Sequence, residues 1–237
     1  MSTYRLKITV ILVFLFVSRF FSSAQEGGNL PYVDYKFLHF GFSLGINFMD
    51  YGIGTSGDSI NGKVYDARVS FLNPGFSVGM ISDMRLSRYL NLRFTPTLQL
   101  GQRQLNFSAA GFSDSIINTS IPICLPIYLK YSAERKGNYR PYLIWGGGMY
   151  LDLGRKTTED MVLLKPLDFY TEFGVGCDIY YSFFKLAPEL KFALGFNNML
   201  TPVDQRDAGF ITPANNFYTR ALTKLTSRVL TLTFNFE

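Results

Sequence analysis

The sequence predicts an all-β chain folded as an eight-stranded antiparallel transmembrane up-and-down β-barrel. Three observations carry this. Apolar and polar residues alternate with period two in about eight segments, the segments run longer than ordinary strands, and long connections alternate with short ones. Composition agrees: 47% of the 237 residues are hydrophobic and 17% charged, against roughly 25% charge in soluble globular chains. Disordered, coiled-coil and collagen-like chains are thereby excluded. Two Cys and one His exclude a disulfide-dense scaffold and a His-rich metal site.

Residues 1–24 read as a secretory signal peptide. Arg5 and Lys7 precede the unbroken apolar run Ile8 to Val17, and Ser22 and Ala24 put small residues at the −3 and −1 positions of a cut near Ala24. The run is about half of the ~20 residues a spanning helix needs, and no Cys near the cut offers a lipid anchor. Residues 25–38 are then a periplasmic N-terminal segment, and 39–237 the barrel. Arg5, Lys7 and Arg19 leave with the signal and no acid does, so the formal charge falls from +5 to +2. A nucleic-acid partner is not implied.

The strands follow in order. From His39 to Tyr51, Phe40, Phe42, Leu44, Ile46 and Phe48 alternate with small or polar residues. Gly75 to Arg85 carries Phe76, Val78 and Met80. Leu90 to Leu100 sets Leu90, Leu92, Phe94, Leu98 and Leu100 against Asn91, Arg93, Thr95, Thr97 and Gln99. Ser120 to Tyr131 has Ile121, Ile123, Leu125, Ile127 and Leu129 on one face. Tyr142 to Leu153 and Phe169 to Tyr181 alternate more weakly. Leu186 to Phe196 and Val229 to Glu237 close the set, the last with Leu230, Leu232, Phe234 and Phe236 on one face. Such strands exceed the usual length of roughly 5–6 residues and match a tilted membrane crossing.

Long connections are expected over Gly52–Ser70, Arg103–Asn118, Gly154–Leu167 and Asn197–Thr226. Short ones are expected at Leu86–Tyr89, Ala133–Tyr139 and Tyr181–Lys185. That alternation describes a barrel of the cell outer membrane, with lipid as its first partner. Tyr51, Tyr89, Tyr131, Tyr142, Tyr150, Tyr181, Phe183 and Phe184 stand near strand ends, as interfacial girdles do. A secreted sandwich or a lipocalin-like barrel would turn its apolar face inward. Here the opposite face is too small and polar for a dry core, so the apolar face belongs against lipid.

Asn29-Leu30-Pro31 and Lys36 to Asp50 resemble the opening of the PorT family, outer-membrane barrels of the Bacteroidetes type IX secretion and gliding-motility machinery. Leu222 to Arg228 and Phe234 to Glu237 are similar to that family's ending. The resemblance implies a non-enzymatic component of a protein-secretion apparatus that docks or assembles other machinery subunits. The alternative is a generic small outer-membrane barrel with a structural, adhesive or small-solute role. The family brings no catalytic residues to carry over.

The residues themselves point the same way on chemistry. His39, at the start of the first strand, has no oriented acid or nucleophile in the pattern and reads as a rim hydrogen-bonder. Gly146-Gly147-Gly148 lies inside a strand with no Lys-Ser/Thr after it, so it is a site of close packing rather than a phosphate loop. Cys124 and Cys177 fall on opposite faces of strands separated by a third, which excludes a disulfide. No catalytic, metal or cofactor site is expected. Arg93, Lys130, Glu172, Asp178, Glu189 and Lys191 have lumen parity and are expected to pair into an ion-pair network that plugs the barrel. Lys185, with lumen parity near a strand end, is expected to tolerate Lys185→Arg. The Asn197–Thr226 connection, with Asp204, Arg206, Asp207, Tyr218 and Arg220, and the segment Gln25–Phe37 are the candidate docking elements.

Overall fold

The structure, a computed structural model, describes residues 28–55, 59–60, 63–64, 66–69, 73–109, 112–154, 162–202, 205 and 218–237. The expected signal peptide and its cut near Ala24 lie outside these residues, as do Asp204, Arg206 and Asp207 of the candidate docking connection.

Eleven strands form one antiparallel sheet. They are β1 (Leu38–Thr55), β4 (Asp66–Val69), β5 (Pro74–Arg85), β6 (Leu90–Phe94), β7 (Thr97–Ala109), β8 (Phe112–Ser120), β9 (Pro122–Ser132), β10 (Tyr139–Asp152), β11 (Leu167–Tyr180), β12 (Lys185–Gly195) and β13 (Leu222–Phe236). A separate hairpin joins β2 (Ser59–Ile60) to β3 (Lys63–Val64). The sheet closes on itself, since β1 pairs with β13 on one side and with β5 on the other. Three staves of the barrel come in two pieces. β4 and β5 both lie along β7, β6 and β7 both pair with β5 and β9, and β8 and β9 both pair with β7. Counted this way, eight antiparallel staves make the ring. The break between β6 and β7 falls at Pro96, which has no N–H to give a ladder; its carbonyl still accepts from the Met80 N–H at 3.0 Å.

The register fixes which face meets lipid. On β1, Phe40, Phe42, Leu44 and Ile46 are exposed while Ser43 and Asn47 are buried. On β9, Ile127 and Leu129 point out while Tyr128 and Lys130 point in. The outward apolar side chains also pair across strands: Phe42 stacks on Phe236 at 4.9 Å and Phe173 meets Phe192 edge-on at 5.7 Å, a geometry that adds to area burial.

The ends of the staves differ from the expectation in three places. Arg103–Asn118 is no loop: β7 and β8 continue as a hairpin from Gly101↔Ser120 to Ala109↔Phe112. Within Gly52–Ser70, β1 runs on to Thr55 and β4 resumes at Asp66. The reason is a change of polarity inside the barrel. Leu105 and Phe107 continue the inward parity of Arg103 yet are apolar, and both are fully buried; a rule that assigns apolar residues to lipid loses the strand there. The third difference concerns the girdle. Tyr51, Tyr142 and Tyr150 are buried, at 0%, 3% and 4% exposure, and point inward. Tyr131, Tyr181, Phe183 and Phe184 are outward and exposed, at the short-turn end.

Gly176 shows how the crowded interior is accommodated. A β-carbon there would collide with the ring of Tyr142, its partner on the adjacent strand β10, which lies over the glycine.

Phe192 faces outward in mid-strand, opposite Leu230 and Phe173. Phe192→Arg should lower folding stability in bilayers by about 2–4 kcal/mol, the cost of a cation on the lipid face near the midplane. Urea titration of the variant in vesicles, followed by the heat-modifiable band on a gel, measures it.

Candidate functional site: the charged lumen and its two closures

Burial and pairing are densest inside the barrel. Arg93, on β6, is 1% exposed and reaches three carboxylates. Its guanidinium holds Asp83 of β5 through Nε at 2.8 Å and Nη2 at 2.6 Å, Glu189 of β12 at 3.3 Å, and Glu237, just past β13, at 2.7 Å. The Tyr142 hydroxyl donates to Glu189 at 2.7 Å, and Lys191 lies 3.3 Å from the same carboxylate. Lys130 holds Asp178 at 2.8 Å. Lys185 bridges Glu237 at 2.6 Å and Asp178 at 3.9 Å. Guanidinium geometry suits Arg93 to this position, because its forked donors serve several acceptors at once where an ammonium would act as a point charge.

Of the six residues that parity assigned to the lumen, Arg93, Lys130, Asp178, Glu189 and Lys191 lie in these ion pairs. Glu172 is inward and buried as well, but its partner is the Tyr128 hydroxyl, which donates to it. Asp83, Lys185 and Glu237 complete the network and were not among the six. Their signal was present: Asp83 shares the inward parity of Ile81 and Arg85, and Glu237 that of Asn235 and Thr233. Lys185 is also no tolerant rim residue, since it is 5% exposed and holds two carboxylates.

Toward the long-loop end the interior becomes aromatic and then apolar. Tyr150 and Tyr170 stack at 3.9 Å. Arg103 donates to the Ser227 hydroxyl at 2.9 Å and lies over the Tyr51 ring at 4.8 Å. Above it Tyr51, Leu105, Phe107, Val162, Leu200, Tyr218, Ala221, Leu222 and Leu225 form a dry core. The connections before β11 and after β12 are tied to each other by Lys165 N–H to Met199 O at 2.7 Å, and to β13 by Met199 N–H to Leu225 O at 2.8 Å. Tyr218, expected on an exposed loop, is 7% exposed and packs on Phe107 at 4.9 Å.

The short-turn end is closed by the N-terminal segment. A single 3₁₀ turn, Val33–Tyr35, carries Asp34 to the barrel mouth. There Tyr180 donates to its carboxylate at 2.6 Å, Arg140 at 3.2 Å and Arg135 at 3.4 Å. Asn29 adds its side-chain amide to Tyr180 O at 3.0 Å, and its N–H to the Asn138 side chain at 2.8 Å. Burial alone would raise the Asp34 pKa, but the Tyr180 hydrogen bond and the charges of Arg140, Lys185 and Arg135 outweigh it and lower it. The segment is therefore a latch across the mouth, not a free tether. Leu30 adopts φ 52° directly before Pro31, a left-handed conformation that an L-residue ahead of proline resists.

Cys124 and Cys177 are free thiols. Among the described residues no His, Cys, Asp and Glu group is arranged to hold a metal ion, and no helix is long and apolar enough to cross a membrane, which says nothing against crossing by strands.

The family model described as outer membrane protein beta-barrel domain matches residues 23–201. The chain belongs to that family. It is thus an outer-membrane β-barrel protein, and the short-turn end faces the periplasm by the general topology of such barrels. No curated protein matches the sequence.

Two predictions follow from this outer-membrane barrel's interior. Arg93→Gln strands buried carboxylates and should cost about 3–5 kcal/mol of stability, read by urea unfolding in detergent. An eight-stranded interior has room for side chains only, so planar-bilayer recordings should show no large steady conductance. The latch gives a pH dependence. A carboxyl whose folded pKa is depressed stabilises above its unfolded value and loses that contribution as pH falls through the folded one. Asp34 should therefore hold the segment at neutral pH and release it only below the ordinary aspartate value of 3.8. Pepsin cleavage within residues 28–37, followed from about pH 5 to about pH 2, should rise late, whereas Asp34→Asn should be cut throughout.

Proposed function

We propose that the protein is a non-enzymatic outer-membrane component of a type IX protein-secretion apparatus, acting by docking or assembling other subunits. The observation that carries the reading is the doubly closed barrel. Its lumen is occupied by paired charges, its outer end by an apolar core and its periplasmic mouth by a latched segment. A barrel of that kind offers partners its surfaces rather than its bore. The resemblance of Asn29 to Pro31, Lys36 to Asp50 and the closing strand to the PorT family supports the choice of apparatus. The non-enzymatic reading is supported by Asp83, Asp178, Glu189 and Glu237, which among the described residues are engaged by Arg93, Lys130, Lys185 and Lys191 at 2.6–3.3 Å instead of standing free as general acids or bases. The leader read over residues 1–24 supplies the export route to the outer membrane.

A clean deletion strain decides it. Proteins with C-terminal sorting domains should fail to appear at the cell surface and accumulate in the periplasm, while outer-membrane integrity is kept. Normal export of that cargo would leave the generic small barrel as the correct reading.

A further inference from the structure

The periplasmic mouth holds a cavity of about 570 Å³ between the latch and two short turns. Its walls carry four arginines, Arg85, Arg88, Arg135 and Arg140, together with Tyr35 and Tyr89. Two carboxylates, Asp34 and Glu134, also line it. Asp34 is consumed by Arg135, Arg140 and Tyr180, as described above. Glu134 meets Arg88 at 2.6 Å, but both side chains are 68% exposed, and an exposed pair contributes little and exchanges readily. Arg85 has no carboxylate partner among the described residues. It touches only the Ser87 and Tyr35 carbonyls, each at 3.4 Å, and lies over the Tyr35 ring at 5.3 Å. Arg88 lies over the Tyr89 ring at the same distance.

We infer that this cavity is a binding site for an acidic peptide segment of a periplasmic protein. Four cations against two carboxylates leave the cavity positive. Arg85 and Arg88 each lie over a tyrosine ring, which leaves the planar fork of donors that binds carboxylates two bonds at a time. The volume falls within the roughly 300–1,000 Å³ range of sites that enclose whole ligands, far more than a lone inorganic anion fills. Parity sets the direction of approach. Arg85 continues the inward register of Asp83, and Arg140 that of Tyr142, so the cavity looks out of the barrel mouth into the periplasm and away from the bilayer. The strand arginines thus lie on the side opposite the lipid-facing residues, which favours a partner that arrives from the periplasm over a lipid headgroup. The inference rests on the docking part of the proposed function and assigns that docking a place and a chemistry.

The test uses the full mature protein, folded in neutral detergent, and fluorescein-labelled hexaglutamate read by fluorescence anisotropy. The natural protein should bind it saturably, more weakly as salt rises, and should ignore hexaglutamine. The double variant Arg85→Gln, Arg88→Gln should bind about tenfold more weakly or worse while keeping its heat-modifiable band. Bound hexaglutamate should also protect Arg85 and Arg88 from phenylglyoxal, a measurement that needs no variant. The inference is overturned if hexaglutamate does not bind, if the folded double variant binds as tightly, or if phenylglyoxal modification is unchanged. Displacement by inorganic phosphate, where chloride of equal ionic strength has no effect, would assign the cavity to phosphate groups and equally overturn the peptide. Binding lost in the double variant with cargo still exported from a deletion strain would leave the cavity standing and the secretion reading fallen. Export blocked by deletion with no hexaglutamate binding would do the reverse.

Discussion

Arg93 sits where water cannot follow, and the arrangement around it is what the closed barrel depends on. Charges taken into such a space remain tolerable only when each finds a partner with good geometry. Asp83, Glu189 and Glu237 meet Arg93 from β5, β12 and the residue after β13. Besides its ladder partner Asp83, one guanidinium thus ties β6 to β12 and to the end of β13, which are not its neighbours in the sheet, a cross-brace that backbone ladders, which join only adjacent strands, do not supply. Lys185 extends the brace to Asp178 of β11 and through it to Lys130 of β9, the strand beside Arg93's own. The outward face is secured differently, by lipid and by cross-strand aromatic pairs. A small barrel with a charged filling therefore has two kinds of cohesion, each confined to its own face of the sheet.

The same division explains what could be read from residues and what could not. Strand positions, closure into a barrel and the lipid face were legible wherever the inside was polar, as on β1, β9 and β12, because alternation then separates two chemically different faces. Legibility failed where the inside turned apolar. Leu105 and Phe107 point into the cap at the outer end, so the β7–β8 hairpin carries no polar-in, apolar-out signature and reads as a loop. Tyr51, Tyr142 and Tyr150 were ambiguous for a related reason: a tyrosine near a strand end suits a membrane interface and a lumen hydrogen bond equally well, and only strict parity separates them. The lumen charges followed parity faithfully. Which cation meets which carboxylate did not, since pairing across a barrel depends on the stagger of strands distant in sequence. The role of Glu237 as a shared partner of Arg93 and Lys185 is a fact of closure, not of pattern.

The two ends of the barrel are closed by opposite physics, and this bears on which of them meets partners. The outer end is sealed by a dry core of tyrosine, leucine, phenylalanine and valine from β1, β7, β13 and the long connections. Burial of that kind responds little to salt or to neutral shifts of pH. The periplasmic end is sealed by one carboxylate shared among two arginines and a tyrosine, beside arginines that lack a strong partner. Contacts of that kind can be exchanged one for another by an incoming acidic group, because the competitor offers the same hydrogen bonds that it displaces. An apolar seal has no such equivalent competitor in water. Leu30, left-handed at φ 52°, belongs to the periplasmic end, next to Pro31 on the cavity wall. One end of the barrel thus brings together the arginines that hold its own segment, Arg135 and Arg140, and the two assigned to a partner, Arg85 and Arg88.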